Sequence, residues 1–174
     1  MDTTQLTLIL RKDKFTRGLF QGVYPSDQLP ASVSHYPALF IANVDTSDKP
    51  GSHWVAFHFT KEQEGEFFDS YGSPPSKYSG TFTTFLNNNS NQWIFNTVTL
   101  QGIYSKVCGH YCLYFALYRS RQISMSTIVR RFSNNTRKND SLVKRFIEKH
   151  FPISLPKYRT DVNKQRAQAQ HKVQ

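Results

Sequence analysis

The hydrophobic pattern of the chain changes character near residue 105. Before that point, apolar residues come in short runs of strand length broken by polar turns. "YPALFIANVD" (36–45) is one such run, and the "DTSDKPG" turn ends it. "SHWVAFHF" (52–59) reads as a second strand, the polar "TKEQEGE" as a connection of hairpin length, and "EFFDSYG" (66–72) as the returning strand. The Pro-, Ser- and Gly-rich "SPPSKYSG" closes this region. After it, "TFTTFLNNNS" predicts a short helix and "NQWIFNTVTLQG" a further strand. The first 35 residues join a short apolar stretch to "FQGVYPSDQLP", whose Gly, Pro, Ser and Asp predict turns and loop.

After residue 105 the pattern becomes helical. "CGHYCLYFALY" (108–118) is apolar on nearly every side, as expected of a helix buried at the domain centre. Ile128, Val129 and Phe132 share one face of a short helix. Leu142, Val143, Phe146, Ile147 and Phe151 follow helical spacing, with Asn139, Asp140 or Ser141 as the expected N-cap. Strands first and helices afterwards predict an α+β fold, with the buried helix packed on a mixed or antiparallel sheet.

The length of 174 residues, with 38% hydrophobic and 14% aromatic content, predicts one packed domain over residues 1–155. The polar, basic stretch 156–174 reads as a disordered tail. No apolar run approaches the roughly 20 residues of a membrane span, and "MDTTQLTLILRKDK" lacks the order of a signal peptide. Two cysteines four residues apart do not make a disulfide framework, so a reducing intracellular compartment is expected. The net charge of +10 is lopsided: residues 119–174 hold 14 Lys/Arg against three Asp/Glu. Such asymmetry points to an anionic partner such as nucleic acid, or to a merely solvated basic surface.

Cys108 is the residue on which the chemistry turns. It opens the buried helix, where free backbone N–H groups and the helix dipole favour a thiolate. Cys108, His110 and Cys112 would not converge on one metal, because helical geometry turns His110 about 200° away from Cys108. Gly109 would leave the backbone beside the sulfur open to a substrate. Gln101, seven residues upstream, could present its amide to an oxyanion together with the Cys108 N–H. A base must come from elsewhere, and His53, at the start of the second strand, is best placed. Asp69, near the end of the returning strand, lies at the same end of the hairpin and could orient the imidazole. Trp54 is expected to shield that pair from water. His58 and Cys112 are assigned no chemistry. Taken singly, each of these residues has an ordinary structural explanation; the ordered set carries the argument.

"GSHW" (51–54), "FFDSYG" (67–72) and "QGIYSKVCG" (101–109) together resemble the His, acidic, Gln and Cys blocks of the adenain family. These are adenovirus-type maturation proteases, in a wider clan with the SUMO-specific proteases. The resemblance covers most of residues 18–151. The flanking "FQGVYPSDQLP" and "LVKRFIEKHFP" look most like proteases of Polinton/Maverick elements, adintoviruses or virophages. It implies a papain-like cysteine protease core with permuted His-Asp-Gln-Cys order. In it His53 is the general base, Asp69 its partner, Cys108 the nucleophile and Gln101 the oxyanion donor. It further implies viral capsid and core precursors as substrates, location in the virion and within the host cell, and a monomer that needs no cofactor for chemistry. DNA would be the expected activator, contacted by Arg119, Arg121, Arg130, Arg131, Arg137, Lys138, Lys144 and Arg145. Two departures stand out. Asp69 replaces the adenovirus Glu, as in the SUMO-type relatives. Only Cys112 is left to anchor a peptide activator, so any such peptide would bind non-covalently. The rival readings are an isopeptidase for a SUMO- or ubiquitin-like modifier and a catalytically silent, DNA-binding packaging protein.

Overall fold

The computed structural model describes residues 1–78 and 80–152. The stretch 156–174 therefore lies outside the described residues. Five strands form one mixed sheet in the order of the chain: β1 (Phe20–Pro25), β2 (Ala38–Asn43), β3 (Trp54–Phe59), β4 (Glu64–Phe68) and β5 (Gln92–Phe95). The central β2–β3 and β3–β4 pairs are antiparallel, whereas the outer β1–β2 and β4–β5 pairs are parallel. The helices are α1 (Thr3–Lys12), α2 (Gly80–Asn89), α3 (Cys108–Arg119), α4 (Met125–Val129) and α5 (Thr136–His150). The α+β class and the mixed sheet agree with the sequence expectation.

Alternation along β3 splits the core in two. Val55, Phe57 and Phe59 face one way and meet Phe40, Phe67 and the α2 residues Phe82, Phe85 and Leu86. Ala56 faces the other way, with Leu39, Ile41 and Phe68, onto α3. The Phe68 and Phe115 rings stack there at 4.6 Å and 6°. Helix α3 lies between the sheet on one side and α1, α4 and α5 on the other, which is why it can be apolar all round.

Three sequence expectations need correction. The N-terminal region is not turns and loop: Thr3–Lys12 is a helix and Phe20–Pro25 a strand parallel to β2. Asp2 and Gln5 form a reciprocal capping box that starts α1, and Leu6, Ile9 and Leu10 bury its inner face. The strand at "NQWIFNTVTLQG" stops at Phe95, because the Asn96 side chain turns to the backbone of residue 69 instead. Helix α5 starts earlier than expected. Its N-cap is Asn135, which accepts from the Lys138 N–H. Asn139 and Asp140 are interior helix positions whose side chains reach loops: Asn139 Nδ2 donates to the carbonyls of Leu100 and Ser133.

His58, on the α3 face of β3, belongs to a buried charge cluster. Its Nδ1 lies 3.1 Å from Glu66 Oε2, and Arg119 Nε donates to the same oxygen at 2.6 Å. Burial works against the Glu66 charge, but His58 and Arg119 outweigh it and hold the carboxyl below its ordinary value. Arg119→Ala would leave that carboxylate buried with a single partner. Urea unfolding should show a loss of about 3 kcal/mol at neutral pH. The loss should shrink as pH falls through the carboxylate range, because a depressed folded pKa contributes stability only while the group is ionised.

Candidate active site

One end of the β3–β4 hairpin gathers the candidate residues. Ala56 faces Phe68 in the ladder, so His53, just before β3, and Asp69, just after β4, emerge at the same edge. The turn entering β3 is tight: Gly51 has φ of 87°, and a Cβ there would come within 2.6 Å of the Asn43 amide. Asn43 Oδ1 also accepts the N–H groups of Asp45 and Ser52, which fixes the chain immediately before His53.

His53 Nε2 lies 2.6 Å from Asp69 Oδ1. The Asp69 side chain is fully buried, and its two oxygens also accept the N–H groups of Tyr71 and Ser73 and the hydroxyl of Tyr78. Asn96 clamps the Asp69 backbone on both sides, accepting its N–H and donating to its carbonyl. With Nε2 committed to Asp69, Nδ1 is the imidazole nitrogen left for the Cys108 thiol, which lines the same cleft and interacts with His53.

The electrostatics favour the charged pair. Burial disfavours imidazolium, yet the hydrogen bonds and negative charges of Asp69 and Cys108 push the His53 pKa up to about 9. Burial likewise disfavours the Cys108 thiolate. The His53 hydrogen bond and charge, with the backbone N–H groups of Trp54 and Gly109, nevertheless hold it below the ordinary thiol value. Cys112, one turn on and fully enclosed, shifts the opposite way, mainly through burial. His110 points elsewhere on α3. Burial and then the nearby chain N-terminus push it down to about 4, so it is neutral.

Gln101 sits beside the pair and is 1% exposed. Its backbone N–H donates to the Ser70 carbonyl, and its Oε1 accepts from the Ser70 hydroxyl at 2.7 Å. The amide is thereby oriented, with Nε2 reaching the Ser105 carbonyl and the Tyr71 hydroxyl. Helices α3 and α5 pin the same loop: the Tyr111 hydroxyl lies 2.9 Å from the Leu100 carbonyl, and Asp140 accepts the Gly102 N–H. His53, Gln101 and Cys108 all line one cleft of about 700 Å³, together with Val23, Asn43 and Trp54.

His53, Asp69, Gln101 and Cys108 are thus brought together from four separate stretches of chain. Of the two supporting residues, Trp54 acts differently from expectation. Tyr71 and Tyr78, not Trp54, cover the imidazole, with ring centroids 4.7 and 5.8 Å from it. Trp54 instead donates from Nε1 to the Met1 carbonyl and lends its backbone N–H to Cys108. Gly109 lines the cleft beside Cys108, and the room a Cβ would take there is bounded by Met1 at 3.1 Å and the Trp54 indole at 3.4 Å. Ser70, Tyr71, Tyr78 and Asn96 went unnoticed in the sequence; only the placement of Ser70 and Tyr71 directly after Asp69 hinted at them.

The basic residues divide. Arg119 is committed to Glu66, and Arg121 donates to Asp13 at 2.6 Å while lying over the Phe15 ring, so neither is free for a phosphate. Arg130, Arg131, Arg137, Lys138, Lys144 and Arg145 are exposed. Arg131 lies over the Tyr118 ring, 4.2 Å from its centroid.

No family model and no curated protein matches the chain. Among solved structures, the crystal structure of the selenomethionine ASFV pS273R protease is similar with a TM-score of 0.39 and 21% identity. The likeness covers 59% of this chain and 41% of that one, so the chain spans less than half of that protein's length.

The assignment of charges can be measured at His53. Its imidazole should titrate near pH 9 when followed by NMR. In Asp69→Asn the supporting charge is gone, and the titration should move down by about one unit or more.

Proposed function

We propose that the protein is a cysteine peptidase that hydrolyses peptide bonds through an acyl-enzyme on Cys108. The observation that carries this is the convergence of a Cys108–His53–Asp69 relay with an oriented Gln101 amide in one cleft. The thiolate attacks the scissile carbonyl carbon, and the carbonyl electron pair moves onto oxygen. The Cys108 N–H, which has no acceptor among the described residues, and Gln101 Nε2 hold that oxyanion. As the tetrahedral species collapses, His53 gives its Nδ1 proton to the leaving amine and the C–N bond breaks. Neutral His53 then takes a proton from water, the hydroxide equivalent attacks the thioester, and Cys108 leaves as thiolate. Asp69 keeps the imidazole in the orientation these steps need.

On this reading the enzyme is adenain-like and processes viral capsid or core precursors, consistent with the sequence blocks around all four residues. The cationic α4–α5 surface supports sequence-nonspecific DNA contact through Arg130, Arg131, Arg137, Lys138, Lys144 and Arg145.

Three outcomes separate this reading from its rivals. Wild type should cut the capsid precursor encoded beside it, and Cys108→Ala should not. Cleavage confined to a modifier fusion ending in Gly-Gly would favour the isopeptidase, and a Cys108 that fails to react with a peptidyl warhead would favour the silent packaging protein. Gln101→Ala should lower kcat by roughly 10²–10³, well beyond the modest loss of thermal stability expected from its lost Ser70 bond. The pH profile of kcat/KM should be bell-shaped, with an acid limb below the ordinary thiol value and a basic limb near 9. If the basic surface binds DNA, affinity should fall about tenfold or more between ~50 and ~200 mM salt. Lys138→Glu with Arg145→Glu should weaken that binding while leaving DNA-free peptide cleavage unchanged.

A further inference from the structure

We propose that the Tyr71 hydroxyl is a third hydrogen-bond donor to the oxyanion, beside Gln101 and the Cys108 N–H. This role rests on the peptidase reading and adds a catalytic group to it. Gln101 has two amide N–H bonds, and both have acceptors: the Ser105 carbonyl at 2.8 Å and Tyr71 Oη at 3.2 Å. The Ser105 bond is the shorter and anchors the amide. The N–H that can turn to a substrate is therefore the one resting on Tyr71. Tyr71 Oη thus lies beside the N–H that the peptidase reading turns to the oxyanion.

Accepting from Gln101 leaves Tyr71 its own proton to donate. Among the described residues no hydrogen bond takes that proton up. The hydroxyl belongs to a ring that lines the cleft with Cys108 and packs on His53 at 4.7 Å and 31°. Burial, and then the negative charges of Cys108 and Asp69, hold the phenol above its ordinary pKa, so it stays protonated as a donor. When the carbonyl oxygen becomes negative, the Gln101 N–H and the Tyr71 O–H can converge on it. No proton is transferred; the phenol keeps its hydrogen throughout. A stacking role alone would need only the ring, and phenylalanine would serve.

That distinction defines the test. Tyr71→Phe keeps the ring on His53 and deletes the hydroxyl. On a Gly-Gly peptide coumarin amide its kcat should fall by about 10²-fold, with KM little changed. Iodoacetamide alkylates Cys108 without forming an oxyanion, so that rate should match wild type. A peptide aldehyde, whose thiohemiacetal oxygen sits at the same place, should bind more weakly by a comparable factor. Tyr71→Leu, which also removes the ring, should slow alkylation as well. Wild-type kcat in Tyr71→Phe would overturn the role, and so would a parallel loss of alkylation, which would place the hydroxyl's effect on the thiolate pair. A wild type that hydrolyses no peptide, and whose Cys108 binds no aldehyde, would overturn the peptidase reading and this role with it.

Discussion

The site depends on one buried carboxylate. Asp69 has no exposed side-chain surface, and an ionised carboxylate in that setting is tolerable only if its lone pairs are filled. Four donors fill them: His53, the Tyr71 and Ser73 N–H groups, and the Tyr78 hydroxyl. Each donor is held in place by the requirement. The segment 69–73 curls around its own carboxylate, Tyr78 is drawn in over the imidazole, and His53 is fixed by Nε2, which leaves Nδ1 for Cys108. Burial pulls the carboxyl toward protonation, and the His53 bond and charge reverse that.

The same curl positions the oxyanion side. Ser70, bracketed by Asp69 and Tyr71, offers its carbonyl to the N–H groups of Leu100 and Gln101 and its hydroxyl to the Gln101 side chain. Three consecutive residues, 69 to 71, therefore serve the base, the amide and the cleft wall in turn. Helix α3 supplies the opposite half. Its burial among the sheet and three other helices fixes where its first N–H groups emerge, and so where the Cys108 sulfur sits. Tyr111, one turn into α3, ties the helix back to the loop at Leu100. Base and nucleophile are thus set by the β3–β4 hairpin and by α3, tied together through one pinned loop.

Much of this was legible in the sequence because it rests on short-range pattern. Alternation in "SHWVAFHF" and the apolar pair in "EFFDSYG" predict the hairpin, which puts His53 and Asp69 at one end, and the register that pairs Ala56 with Phe68 brings them into contact. The all-round apolar run after Cys108 gave α3. What was missed depends on long-range partners. "FQGVYP" is strand only because β2 lies beside it, and its Gly and Pro point to a loop until that neighbour is known. Asn139 and Asp140 look like caps because Asn and Asp usually are; here they serve loops 38 or 39 residues away. The basic count overstated the free cations, since the partners of Arg119 and Arg121, Glu66 and Asp13, come from distant parts of the chain. Gly109 keeps bare backbone on the cleft, but that Met1 bounds it could not be read from residues so distant in sequence.

The central claim is that Cys108 is held as a thiolate by a protonated His53, itself held by Asp69. Thiolate absorbs in the ultraviolet where thiol does not, and the difference spectrum between wild type and Cys108→Ala isolates that one sulfur. The account predicts a thiolate signal that persists to lower pH than an ordinary thiol allows and moves to distinctly higher pH when His53 is replaced by alanine. A thiolate signal that first rises near the ordinary value of 9.0, with the same midpoint in His53→Ala, would contradict it.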